Sequence, residues 1–250
     1  MEEYEQLGLF EEEFPKYQIN KPIRLIELFA GVGSQSMALK RMGVEFESYR
    51  AVEFDEFAIN SYNSIHETKF PTMDVTKIHA TDLGITEKDK YEYILFYSFP
   101  CTDLSLAGKQ AGMSKDSGTR SGLLWEVERL LKELPKENLP QVLVMENVPQ
   151  VHSDNNLPDF QNWIQFLQSL GYENFCEDLN AKDFGVPQNR DRCFMVSILG
   201  SFDFVFPRKI PLEKVMADVL EPEVEEKYFI SNEKADKLIE QLIRDGKIEE

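Results

Sequence analysis

Short apolar runs alternate with amphipathic ones along most of this chain, and a hydrophobic period that keeps switching between 2 and about 3.6 residues admits little beyond βα units around a mainly parallel sheet. Ile23–Phe29 reads as the first strand, followed by a glycine-bearing turn and a helix over Ser34–Met42. Ser48–Phe54 predicts a second strand and Glu56–Ile65 a helix, with a third, short extended piece before Asp74. Tyr93–Ser98 reads as the fourth strand, Gly122–Leu134 as a helix, Val142–Glu146 as the fifth strand, Asp159–Leu170 as a helix and Arg192–Leu199 as a further β-rich run. The fold class expected is α/β, a mainly parallel twisted sheet with helices on both faces.

At 250 residues the chain can bury one large α/β core. The periodicity divides it into an acidic extension over 1–20, a main domain over 21–210, and an acidic segment over 211–250 with one amphipathic helix, Glu233–Arg244. No internal repeat, long apolar span or basic apolar leader is present, so the expected location is cytoplasmic. Three cysteines, Cys101, Cys176 and Cys193, stand far apart with no Cys-x-x-Cys, which speaks against a disulfide framework or a structural zinc site. A net charge of −18 argues against a nucleic-acid partner, because affinity for phosphate comes mainly from Lys and Arg. The charge is concentrated at the ends, however: residues 1–15 hold six acids and no base, and residues 213–250 hold twelve acids and six bases. The middle is therefore close to balanced, though it offers no strong basic stripe.

Leu28-Phe29-Ala30-Gly31-Val32-Gly33-Ser34 joins a strand to a helix, where glycines let the backbone turn sharply and approach a ligand. The G-x-G-x-x-G pattern of dinucleotide sites is incomplete, since Ser36 holds its third position, and a plain tight turn suits the segment equally well. Glu53 closes the second strand twenty residues after Gly33, where a carboxylate can accept both hydroxyls of a ribose. Asp74 can accept from an adenine amine or simply make a turn. Phe29 and Phe54 can flank an adenine ring or serve the core. With no phosphate-cradling Lys and no complete glycine triplet, the set suits an adenosine carrier without phosphates better than a nicotinamide dinucleotide.

Pro100-Cys101 ends the fourth strand and opens the stretch Phe99–Ser121, too long and too polar for an ordinary connection. A lone cysteine is usually a small buried hydrophobe, and Cys176 and Cys193 are read that way. Cys101 differs in standing at the carboxyl edge of the sheet, where Glu146 of Met145-Glu146-Asn147-Val148 also emerges. An acid at the mouth of an apolar strand needs solvent or a partner. Gln188-Asn189-Arg190-Asp191-Arg192 brings two arginines to one face of an extended run, as a surface pair with Asp191 or as part of a site.

Taken in order, Phe29-Ala30-Gly31-Val32-Gly33, Pro100-Cys101 with Ser105, Glu146-Asn147-Val148 and Gln188-x-Arg190-x-Arg192 resemble the cytosine-C5 DNA methyltransferase family across residues 23–200. The resemblance implies a Rossmann-like fold, S-adenosylmethionine as methyl donor with S-adenosylhomocysteine as product, and duplex DNA as substrate. It implies that Cys101 forms a covalent bond to a flipped-out cytosine, with Glu146, Arg190 and Arg192 around the base. It implies cofactor contacts from Phe29, Gly31, Gly33, Glu53, Phe54, Asp74, Pro100 and Leu123, and DNA contacts from Ser105 and Lys109 on a loop, Thr102–Ser121, that folds over the base.

Two departures from the family pattern stand out. Thr102 occupies a position where many members have Gln, and after Arg192 there is neither a basic target-recognition region nor the closing Gly-Asn-Ser-Val type segment. A shortened chain, or one subunit of a split enzyme whose second polypeptide brings the recognition region, would account for the second. A tRNA cytosine methyltransferase on the same core and a non-catalytic cofactor-binding subunit are the rival readings. The intact Cys101, Glu146 and Arg192 set speaks against the latter, and no metal ligand is expected.

Overall fold

Side-chain alternation settles where each strand points. In the computed structural model, which describes residues 14–104, 111–115 and 117–248, Ile26 and Leu28 face one side of the sheet while Ile23 and Leu25 face the other. The strands are β1 (Ile23–Leu28), β2 (Phe46–Val52), β3 (Glu92–Tyr97), β4 (Val142–Asn147), β5 (Tyr172–Asn180) and β6 (Asp191–Leu199), in the order β2-β1-β3-β4-β6-β5. The first four pair in parallel, and β6 pairs antiparallel to both β4 and β5.

The helices are α1 (Ser34–Arg41), α2 (Glu56–His66), α3 (Leu124–Glu133), α4 (Leu157–Ser169) and α5 (Asn232–Arg244). Leu124, Val127, Leu130 and Leu131 of α3 and Phe160, Trp163 and Leu167 of α4 bury themselves against Leu95, Tyr97, Leu143 and Met145. Trp163 Nε1 donates to the Tyr97 hydroxyl at 3.1 Å, so the largest core side chain keeps its polar atom satisfied. On the opposite face α1 packs Leu39 near Leu25. The carboxylate of Glu27, only 1% exposed, accepts from Ser36 of α1 at 2.7 Å and Tyr62 of α2 at 2.5 Å, which fastens both helices to β1.

Two expectations about strands need correction. The piece before Asp74 is not a strand: it is tied to the sheet by Met73 N donating to the Glu53 carbonyl at 2.8 Å, so Glu92–Tyr97 is the third strand rather than the fourth. Conversely, Tyr172–Asn180 forms an edge strand that hydropathy does not announce. Leu123 sits in a 3-10 turn, Ser121–Leu123, ahead of α3. Beyond Ile198 no described residue is buried, and α5 presents Leu238 and Ile239 to solvent. No helix among the described residues is long and apolar enough to cross a membrane.

Candidate active site

The strand order reverses direction at β1, whose neighbours are β2 on one side and β3 on the other, and ligands of open α/β sheets bind outside the carboxyl ends of such a pair. A cavity of about 360 Å³ lies there, lined by Phe29, Val52, Glu53, Phe54, Met73, Asp74, Val75, Ser98, Pro100 and Leu123. Six of the expected cofactor contacts, Phe29, Glu53, Phe54, Asp74, Pro100 and Leu123, thus share one hollow.

Glu53 organises its floor. One carboxylate oxygen accepts from Gly31 N at 2.9 Å and the other from Asp55 N at 2.9 Å, and the residue is 8% exposed. Each carboxylate oxygen has about two acceptor sites, so both retain capacity for a diol while the backbone fixes their direction. Phe29 adopts φ 58, a conformation rare outside glycine, which marks a strained turn at the cavity wall. Phe54 stands 74% exposed at the rim. A carboxylate with spare acceptors in one cavity with two aromatic side chains suits the ribose and adenine of an adenosine cofactor.

Gly31 and Gly33 do not line this cavity. A Cβ on Gly31, at φ 53, would meet open space, so its freedom serves the turn. At Gly33, φ 81, a Cβ would fall 2.3 Å from His66 Nε2 and 2.6 Å from a Tyr62 ring carbon. The close approach read into Gly33 is therefore to α2, not to a ligand. Asp74 combines both readings of its sequence position: it lines the cavity, yet one oxygen already accepts from Thr76 N at 3.0 Å and Thr76 Oγ1 at 2.8 Å. Those bonds outweigh its slight burial and, with Lys77, hold its carboxyl below the usual range.

Cys101 follows β3 and is partly buried against the main core. Its segment is tied to the end of β4 by Asn147, whose side-chain amide donates to the Phe99 carbonyl at 3.0 Å. Because Tyr97 and Met145 are register partners, Pro100-Cys101 and Glu146-Asn147 leave adjacent strands at one edge. Ser121 Oγ donates to the Pro100 carbonyl at 2.7 Å, and Asp103 accepts from Arg120 N at 2.7 Å, so the two ends of the long loop are pinned together. Glu146 accepts from Arg192 Nε at 2.8 Å, with Arg190 Nη2 at 3.9 Å. The arginine pair thus engages Glu146 rather than the Asp191 carboxylate, which accepts instead from Asn180 at 2.7 Å. A second cavity of about 370 Å³ opens beside Glu146, Arg190 and Arg192. Ser105 and Lys109 lie outside the described residues.

The model of the C-5 cytosine-specific DNA methylase family matches residues 23–248. The chain belongs to that family. By family it is a DNA cytosine-C5 methyltransferase, of an S-adenosylmethionine-dependent class. It is 33% identical over 258 residues to the type II methyltransferase M2.ScrFI of Lactococcus lactis subsp. cremoris, covering 84% of this chain and 71% of that one. It is 35% identical over 264 residues to the orphan methyltransferase M.SssI of Spiroplasma monobiae, covering 85% and 68% respectively. The S. pombe Dnmt2 methyltransferase structure superposes with a TM-score of 0.67 at 20% identity, over 87% of this chain and 66% of that one, a likeness of fold. In this methyltransferase several cavity and loop residues escaped the sequence reading: Met73, Val75 and Ser98 in the lining, and Asp103 and Ser121 as loop pins. Their positions depend on pairings between distant segments, and only the Asn in Glu146-Asn147-Val148 carried a signal in its motif.

Proposed function

We propose that Cys101 is the nucleophile and Glu146 the acid of cytosine-C5 methylation in this chain, with Arg192 and Arg190 holding the acid and the base, and with the Glu53 cavity as the S-adenosylmethionine site. When bound, that cofactor supplies an electrophilic methyl group. Ring carbon 5 of cytosine is a weak nucleophile, so the Cys101 thiolate adds to carbon 6, forming the C–S bond and moving electron density to carbon 5. Glu146 donates a proton toward ring nitrogen 3 and accepts from the exocyclic amine, which neutralises the charge that addition creates. After methyl transfer a base takes the proton from carbon 5, the C–S bond breaks to return the thiolate, and the proton on ring nitrogen 3 goes back to Glu146.

The observation that carries this reading is the bond from Asn147 to the Phe99 carbonyl, because it joins the strand end bearing Glu146 to the segment bearing Cys101. Pro100 lines the Glu53 cavity and Cys101 is its chain neighbour, which supports a nucleophile set beside the methyl donor. The base must leave the duplex to reach this edge, at a cost of a few kcal/mol. We infer that a basic target-recognition region, such as a second polypeptide would bring, supplies much of the grip on duplex DNA, because this chain carries a net charge of −18 and no strong basic stripe. The test is trapping with a 5-fluorocytosine duplex and cofactor, in the presence of such a region, with tRNA as competitor. A covalent adduct that resists denaturation and disappears in Cys101→Ser is expected. An adduct that survives this substitution, or trapping competed by tRNA but not by DNA, would overturn the assignment.

A further inference from the structure

Cys176 and Cys193, distant in sequence and assigned no part in methyl transfer, come together on the antiparallel β5–β6 pair with their sulfurs 3.3 Å apart and unbonded. Cys193 is fully buried, whereas Cys176 is exposed, contrary to its expected role as a buried hydrophobe. Asp178 lies two residues along β5 from Cys176, and so on the same face, and is the register partner of Cys193. His152, at the end of the 3-10 turn Pro149–His152, brings Nε2 to 3.0 and 3.1 Å from the two Asp178 carboxylate oxygens. Donor atoms of His152, Asp178 and Cys193 all lie within 4.8 Å of one another.

We propose that His152, Asp178 and Cys193 form the body of a zinc site, which Cys176, in contact with Cys193, completes as fourth donor when its side chain turns in. Thiolate, imidazole and carboxylate are each zinc donors, and this set differs from the common site of two cysteines and two histidines by one carboxylate, with Zn–S near 2.3 Å and Zn–N near 2.0 Å. Two sulfurs held at that length by a tetrahedral ion stand about 3.8 Å apart, so the observed contact of 3.3 Å has to open by about half an ångström on loading. Loading displaces one proton from each thiol, and the Nε2 proton that His152 turns toward Asp178 leaves or moves to Nδ1, so that the neutral imidazole binds through Nε2. The cation has a route in, because a cleft of about 600 Å³ runs between Val148-Pro149-Gln150 and Gln188–Arg192 and reaches Asp178.

The consequence is mechanical. His152 follows Glu146-Asn147-Val148 by a single turn, and Cys193 follows Arg192 directly, so the ion would fasten together the two segments that carry the acid and its arginine. The donors come from three stretches none of which holds a metal motif, which is why spacing along the chain spoke against zinc.

The experiment is titration of the reduced protein with Co²⁺ as a spectroscopic probe, then displacement by Zn²⁺ in competition with a chromogenic chelator. Tetrahedral d–d bands with thiolate-to-cobalt charge transfer are expected at one equivalent, unchanged in Cys101→Ser. The bands should vanish in Cys193→Ser, and zinc affinity should fall at least tenfold in His152→Ala and Asp178→Ala. These two surface changes keep the test decisive if Cys193→Ser fails to fold. Zinc should also raise the melting temperature of the wild type but not of His152→Ala. Absence of the thiolate band, its persistence without Cys193, or a reduced protein that ignores metal while peroxide links Cys176 to Cys193 would overturn the proposal.

Discussion

A carboxylate can be positioned by what it already holds, and the two acids of the candidate site show this in different ways. Glu146 is gripped from one side by Arg192 at 2.8 Å, which leaves its other oxygen for a base. Replacing Glu146 with Gln keeps the shape and removes the acid, so kcat should fall about a hundred- to ten-thousandfold, the usual worth of a general acid. Single-turnover methyl transfer should show it, with a smaller change in KM. Glu53 is gripped by the backbone through Gly31 N and Asp55 N. Glu53→Ala should leave these two donors unpaired and lower stability by about 1–3 kcal/mol, by urea denaturation, besides weakening S-adenosylhomocysteine in calorimetric titration. Glu53→Gln, which retains an acceptor, should lose binding with less loss of stability.

At the scale of elements, α3 anchors the far end of the loop that Cys101 opens. Glu128, with its side chain only 8% exposed, accepts from Lys115 and from Lys132, each at 2.5 Å, and Trp125 Nε1 donates to the Met113 carbonyl at 2.7 Å. Burial alone would raise the Glu128 carboxyl, yet the two lysines outweigh it and hold the group below its ordinary range. A depressed acid stabilises the fold above its unfolded pKa, near 4.3, and that contribution is lost as pH falls through the lower folded value. Stability by urea midpoint should therefore drop between about pH 5 and pH 3 more steeply in wild type than in Glu128→Gln. At pH 7 the variant should be less stable by about 1–2 kcal/mol, below the cost for a fully buried pair because both lysines are half exposed. How much of the elements the sequence discloses depends on the same physics. β1, β3 and β4 are buried on both faces and read as apolar runs, and α3 and α4 carry one apolar stripe each. β5 has mostly exposed or half-exposed side chains in its middle and is held by backbone pairing to β6, so hydropathy is silent about it. Glu53, Cys101 and Glu146 stood out because they lie at or just beyond the carboxyl ends of strands. The bond from Asn147 to Phe99 and the convergence of Cys176, Cys193 and His152 join segments far apart in the chain, and only the sheet order brings them into range.

The whole molecule divides by burial rather than by any break in the chain. Among the described residues the buried side chains run from Ile23 to Ile198 and none follows, and Val215, Met216, Tyr228, Phe229 and Ile230 are all exposed. Apolar burial stabilises at roughly 25 cal/mol per Å² removed from water, so a segment that removes little area adds little stability. The bridge from Phe184 to Ile210 is the last backbone tie from this segment to the core among the described residues. A chain ending after Leu212 should therefore melt within about 2 °C of the full chain, since 1 kcal/mol moves the melting temperature of a domain this size by about 2–4 °C. Limited proteolysis should cut the acidic segment first and leave a resistant core. The same deletion removes twelve acids against six bases, which lowers the net negative charge from −18 to −12. Weaker repulsion from phosphate should then quicken association with DNA at low salt, and the gain should shrink as salt screens it. A fall in melting temperature beyond about 5 °C would instead mean that residues 213–250 pack on the core after all, because only recovered burial can supply a loss of that size.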